Sequence, residues 1–276
     1  MFKKWMIGAL LMSLSTAALA SLNGMEQITT AHTLKEVQEA LSKVKEGAVI
    51  FLDVDDTLIT PKSNIFRAKS PYRFLIDDLK KNKDHYPNFE AILSHWRLQR
   101  KTILVCQEWP ELINTLKRSY PLYALTKMES GSIGDIPSME KWRYEELQEM
   151  GISFTPIFNG TSEETFVTYS SKAHPPAFYK GIFITGSFNK SDVLHAFLKT
   201  QKPTQIVLVD DREEYIKDAL EECNRQSIPF LGVLFKGTEL ILGQPNPKVA
   251  EFQKQYLLEK AQWLEDGEAE KMMEAE

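Results

Sequence analysis

Short, almost wholly apolar runs recur along this chain, and most of them stop at residues that can do chemistry. Ala48 to Val54 (AVIFLDV) runs into the acidic cluster Asp53-Val54-Asp55-Asp56-Thr57, and Tyr123-Ala124-Leu125 leads into Thr126. Gly181 to Thr185 ends at Gly186, Ile206 to Val209 ends at Asp210-Asp211, and Phe230 to Phe235 follows. A strand covered on both faces has no solvent side, so it reads as a continuous β-branched and apolar run rather than an alternation. Helical patterns separate the runs. Thr33-Leu34-Lys35-Glu36 is a capping box that opens a helix with Leu34, Val37, Leu41 and Val44 on one face, and Gly47 ends it. Pro110 suits the first turn of a helix carrying Leu112, Ile113 and Leu116. Lys190 opens another with Val193, Leu194 and Phe197, and Ile216, Ala219 and Leu220 mark one more. Strands alternating with helices predict an α/β fold, a Rossmann-like parallel sheet with helices on both faces.

Two stretches interrupt the alternation. Residues 61–108, directly after the first core strand, are polar, aromatic and helical in tendency, and an insertion of this size predicts a helical cap. Within it Trp96, Arg97, Arg100 and Lys101 match no motif and are expected on a solvated, partly buried helix face. Residues 159–180 carry the turn signal Asn159-Gly160 and are expected to form a hairpin. The division expected is therefore a core of residues 21–60 and 109–247, the cap 61–108, and a helical tail 248–276 whose last dozen residues fray.

Residues 1–20 are not expected in the fold. Lys3 and Lys4 precede an apolar run from Trp5 to Leu14, and Ala18-Leu19-Ala20 supplies a small-residue cleavage site, the layout of a secretory signal peptide. The run is short of the roughly 20 apolar residues that span a bilayer, so no stable membrane anchor is expected after cleavage. The chain is read as exported, periplasmic or secreted, from a bacterium. The sequons Asn159-Gly160-Thr161 and Asn189-Lys190-Ser191 are then expected to be unused. An oxidising compartment leaves two readings open for Cys106 and Cys223, a bridge or burial as small apolar residues. With 33 basic against 38 acidic residues, net −5, the chain does not suit a partner that is a nucleic-acid backbone. A small phosphorylated substrate stays open, because a site can be locally positive on an acidic protein.

In open parallel α/β sheets, ligands bind beyond the carboxyl ends of the strands. Asp53, Asp55, Thr126, Asp210 and Asp211 all fall at such ends, and Lys190 starts the helix after another. Taken singly, each has an ordinary reading as a turn, a cap or a surface lysine. Together they resemble the four motifs of the haloacid dehalogenase (HAD) superfamily. Asp53-x-Asp55-x-Thr57, a Thr ending a core strand, a Lys opening a later helix and an Asp-Asp pair after a strand occur in that family's order over residues 53–211.

The resemblance implies phosphoester chemistry, since an Asp at position 55 is kept in phosphatases and phosphomutases of the family and absent from its dehalogenases. It implies Asp53 as nucleophile, through an aspartyl-phosphate, and Asp55 as general acid and base. Thr126 and Lys190 would bind phosphate. Asp53, the backbone carbonyl of Asp55, Asp210 and Asp211 would hold Mg²⁺, with Mn²⁺ acceptable to the same oxygen cage. Thr57 is expected to brace the turn that aims Asp55, and Asp56 to be structural. The sequence is similar to secreted acid phosphatases of the superfamily and to an uncharacterised group of exported bacterial HAD-like proteins. The reading is an exported phosphatase acting on a phosphomonoester. The alternative is a non-catalytic exported binding or host-interaction protein on the same scaffold.

Overall fold

A computed structural model describes residues 26–72, 81–166 and 173–275, so the expected signal peptide lies outside the described residues. In chain order the elements begin with β1 (Glu26–Ala31), α1 (Leu34–Leu41) and β2 (Val49–Leu52). The insertion follows, framed by β3 (Ile59–Pro61) and β4 (Thr102–Leu104), with α2 (Phe89–Gln99) between them. Next come α3 (Trp109–Leu116), β5 (Leu122–Thr126) and α4 (Met139–Glu149). β6 (Glu163–Thr165), β7 (Ala177–Tyr179), β8 (Ile182–Ile184) and α5 (Lys190–Thr200) lead to β9 (Ile206–Asp210) and α6 (Glu213–Arg225). The chain ends with β10 (Phe230–Phe235), α7 (Pro247–Lys260) and α8 (Asp266–Ala275).

The main sheet has the order β1-β10-β9-β2-β5-β8-β7-β6. Every pair from β1 through β8 is parallel, and β7 and β6 add an antiparallel edge. This is the doubly wound α/β sheet that the apolar runs predict. β2 lies at its centre, with Ile50 opposite Leu122 on one side and Val207 on the other. Its residues alternate between two apolar clusters. Ile50 and Leu52 face one that includes α1, α3 and α7, and Val49 and Phe51 face the other, against α5 and α6. The expected hairpin is present as β6 against β7.

Three features depart from expectation. β1 pairs with β10 along its whole length, yet EQITTA carries no apolar run, because an edge strand is only partly covered. The end of the tail is not frayed: α8 is a helix whose Asp266 accepts from Asn64 N (2.8 Å) and Gln253 Nε2 (3.0 Å) and also binds Ser63 Oγ. Finally, Trp96 and Arg97 are buried rather than on a solvated helix face, and only Lys101 of that group is open to water.

The described residues of the insertion pack into the core of the sheet. Ile65, Phe66, Leu93 and Trp96 belong to the same apolar cluster as Ile50, Leu52 and Val209 of the sheet. The tail closes over it. Trp263 sits 6.1 Å from Phe66 and 6.5 Å from Trp96, centroid to centroid. Gln99, at the insertion's exit, donates to Ala261 O (3.1 Å) and accepts from Trp263 N (2.9 Å). On the other side Gly134 lets the loop after β5 approach α2 so closely that a Cβ there would meet Glu90 O at 2.5 Å. Core, insertion and tail are thereby joined by packing.

Candidate active site

The polar residues singled out from the sequence gather where β2, β5 and β9 end and α5 begins. Asp53 follows β2, and its N–H still donates to Val209 O (2.9 Å) of the neighbouring strand. Asp210 is the last residue of β9, and Lys190 is the first of α5. Lys190 is fully buried, and its Nζ donates to Asp53 Oδ1 (2.6 Å) and Asp210 Oδ2 (2.5 Å) while lying 4.9 Å from the ring of Tyr215. Thr126 ends β5 with its Oγ1 buried and without a hydrogen-bond partner among the described residues. A hydroxyl hidden from water and left unpaired costs free energy that a bound acceptor would recover.

After Asp53 the chain turns sharply. Asp56 adopts a left-handed conformation (φ 63°), donates from its N–H to Ile59 O (2.7 Å) and accepts from Thr60 Oγ1 (2.8 Å). Val54 O accepts from the N–H groups of Leu58 (2.9 Å) and Ile59 (3.1 Å). These bonds give Asp56 a turn-forming place. The hydroxyl of Thr57 points at Asp53 Oδ2 (3.4 Å) rather than at Asp55, so it lies beside the other carboxylate of the motif. The turn leaves the Asp55 side chain 39% exposed.

Asp53, Asp210 and Asp211 each place a ligand atom within 4.8 Å of the others. Burial pushes the Asp53 carboxyl well above the usual range; Lys190 pulls it back, and Asp210 and Asp211 push it further up. Asp211 is pushed up to about 7 by burial and by the charges of Asp56 and Asp210. Burial opposes the charge on Lys190 as well, but Asp210 and Asp53 outweigh it and raise its pKa. Asp53 and Asp210 thus share the buried Lys190 ammonium, and Asp211 lies half-buried beside them, with the charge of Lys236 also acting on it. An all-oxygen donor set of this kind fits a hard divalent cation such as Mg²⁺.

Sequence reasoning passed over Arg143 and placed Arg100 on a solvated, partly buried helix face, whereas its side chain is 5% exposed. Arg143 of α4 donates from Nη2 to both carboxylate oxygens of Asp55 (3.0 and 2.8 Å), and Arg100, next to α2, stands 3.9 Å away. Burial disfavours the charge of Arg143, yet Asp55 and Glu146 more than offset it and raise its pKa. Ser138, whose hydroxyl accepts from Lys141 N (3.1 Å) at the start of α4, was the local signal for that helix. Nothing in the sequence joins α4 to Asp55.

A family described as "Protein of unknown function (DUF2608)" matches residues 30–270. The chain belongs to this family. An uncharacterized protein of Rickettsia prowazekii (strain Madrid E) is 29% identical over 255 residues, covering 91% of this chain and 92% of that protein. A Chlamydia muridarum (strain MoPn / Nigg) protein named "Putative outer membrane protein" is 21% identical over 232 residues, covering 83% of this chain and 84% of that one. Among solved structures, a chain named "putative haloacid dehalogenase-like hydrolase", from Burkholderia xenovorans LB400, aligns with TM-score 0.35 and 11% identity, over 72% of this chain and 100% of that one. Among the described residues of this DUF2608 chain, no helix is long and apolar enough to cross a membrane.

Proposed function

We propose that this chain is an exported Mg²⁺-dependent phosphatase that hydrolyses a phosphomonoester through an aspartyl-phosphate on Asp53. The observation that carries the reading is the buried bridge of Lys190 between Asp53 and Asp210, at the strand ends where the hydroxyl of Thr126 has no partner among the described residues. Asp53 and Lys190 are 137 positions apart in sequence, so an ordinary local ion pair does not account for the contact. Export rests on the basic, apolar and small-residue order of residues 1–20, and the name of the Chlamydia relative agrees with it.

In this reading Asp53 attacks phosphorus with one carboxylate oxygen while the ester P–O bond breaks. Asp55 gives its proton to the departing alkoxide. Asp55 then takes a proton from water, the resulting hydroxide attacks phosphorus, and the Asp53–phosphate bond breaks to release inorganic phosphate. Lys190 and the Thr126 hydroxyl bind phosphate oxygens throughout. Asp53, Asp210, Asp211 and the carbonyl of Asp55 would hold Mg²⁺, which supplies positive charge that offsets repulsion between an anionic nucleophile and an anionic substrate.

The test is release of p-nitrophenol from p-nitrophenyl phosphate with Mg²⁺, across acid to neutral pH, beside Asp53→Asn and a chelator control. Turnover that disappears in both controls is the expected result. A protein that binds Mg²⁺ but hydrolyses no member of a phosphoester panel would instead be a non-catalytic binding protein.

A further inference from the structure

The candidate acid and base, Asp55, is held by side chains that belong to none of the motif positions. Arg143 bonds both of its oxygens from one side, and Arg100 adds a second guanidinium at 3.9 Å. Glu146 fixes both arginines from behind, accepting from Arg143 Nη1 (2.6 Å) and from Arg100 Nη2 (3.1 Å). The hydroxyl of Thr102, in β4 of the insertion, donates to the same Glu146 (2.8 Å). Two indoles complete the frame. Trp142 lies 4.9 Å from the Arg143 guanidinium and 5.6 Å from that of Arg100, and Trp96 lies 4.6 Å from Arg100. The arginine side chains are 3% and 5% exposed, so the support is buried while the carboxylate it holds is 39% exposed.

A half-exposed Asp has freedom about two side-chain bonds, and proton transfer demands that it stand within hydrogen-bond reach of one oxygen. Side-chain packing that removes that freedom before substrate arrives lowers the barrier. We propose that Arg143, with Arg100 beside it, is a positioning residue that fixes Asp55 for proton transfer, and that the insertion acts on the reaction through Arg100. The inference rests on the phosphatase reading and names residues that reading does not use.

The test varies how much the leaving group needs a proton. p-Nitrophenolate departs with little help, whereas an alkoxide requires a proton donor. With the purified full chain and Mg²⁺, Arg143→Ala is expected to lower kcat/KM on an alkyl phosphomonoester on the order of 10²-fold, because that ratio reports the step in which the leaving group departs and not the later hydrolysis common to both esters. On p-nitrophenyl phosphate the same variant is expected to lose several times less in kcat/KM. Arg143→Lys, which restores one donor, is expected to recover part of the alkyl-ester rate. Equal losses on the two esters, without recovery by Lys, would overturn the inference and leave Arg143 a structural residue.

A second measurement separates this failure from failure of the phosphatase reading. In thermal unfolding of Asp55→Asn, Arg143→Ala and the double variant, the Tm losses are expected to be less than additive, because each single change strands a charge that the double change does not. Additive losses would show that the pair is not formed, and would overturn the inference whatever the enzyme does. Coupled losses in a native protein inert toward both esters would overturn the phosphatase reading, and any catalytic role for Arg143 with it, while keeping the ion pair.

Discussion

Lys190 Nζ lies 2.6 Å from Asp53 Oδ1, a contact between the first turn of a helix and the end of a strand 137 residues earlier. Both side chains are withdrawn from water, and the ammonium is shared with Asp210. Breaking a buried pair by removing one partner costs about 3–5 kcal/mol, because the remaining charge is left without compensation. Lys190→Met is therefore expected to lose that much stability in urea unfolding, and to regain part of it when Mg²⁺ is added. A loss below ~1 kcal/mol would mean that the carboxylates are neutralised in some other way.

Thr126 predicts an opposite trade. Its hydroxyl is buried and has no partner among the described residues, so Thr126→Val, similar in shape, removes a group that costs about 1–3 kcal/mol when left unsatisfied. The variant should be more stable than the native chain in urea unfolding. It should also bind inorganic phosphate about tenfold more weakly, as measured by inhibition of p-nitrophenyl phosphate turnover. A variant that gains no stability would place a partner on the hydroxyl already.

Asp53, Asp210 and Asp211 crowd like charges together, so a bound cation should stabilise the fold. A ligand that binds only the folded state adds about 2.7 kcal/mol at one hundred times its Kd. Mg²⁺ is accordingly expected to raise Tm in the native protein and much less in Asp211→Asn. In metal-free protein, Asp53→Asn should raise Tm, since it removes one charge of the cluster and leaves Lys190 paired with Asp210. Equal Mg²⁺ responses in the native chain and Asp211→Asn would remove Asp211 from the ligand set.

The tail predicts its own effect on the insertion. Trp263 is buried between Phe66 and Trp96, and deleting a buried Trp side chain costs about 3–5 kcal/mol. Trp263→Ala should lose stability in that range. Hydrogen exchange should then rise first around Gln99 and Lys101, whose backbone and side-chain bonds run to residues 261–265. Unchanged protection there would mean that the insertion holds itself.

Cys106 packs on one face of the sheet and Cys223 on the other, and both are free thiols, so burial rather than a bridge is the outcome for this pair. Burial pushes the Cys223 thiol up to about 12, with the neighbouring charge of Glu222 adding to the rise. In the unfolded chain the same thiol ionises near its ordinary value, about 8.5. The proton is then held more tightly by the folded state. Its contribution to stability is complete below the unfolded pKa and is lost as pH rises through the folded one. Stability should fall more steeply between about pH 9 and 12 in the native protein than in Cys223→Ala, as read by unfolding at stepped pH.

The order of strands and helices was legible because β2, β5, β8, β9 and β10 are covered on both faces, and such strands must be apolar along their whole length. Their polar ends were legible for the same reason, since Asp53, Thr126 and Asp210 each interrupt an apolar run where the sheet stops. β1 escaped notice because an edge strand needs no such run. α4 escaped for a different reason: its buried stripe is Met139, Arg143 and Leu147, and an arginine on that stripe hides the helical pattern.

The sequence by itself determined the sheet, the place of the site and the residue types gathered there, because local covering and strand ends leave local marks. Only the tertiary structure decided that Arg143 and Arg100 meet at Asp55, that Glu146 holds them, and that the tail fastens the insertion. A buried arginine is tolerable only when distant chain brings its partner, and that pairing has no periodicity or spacing in the sequence to announce it.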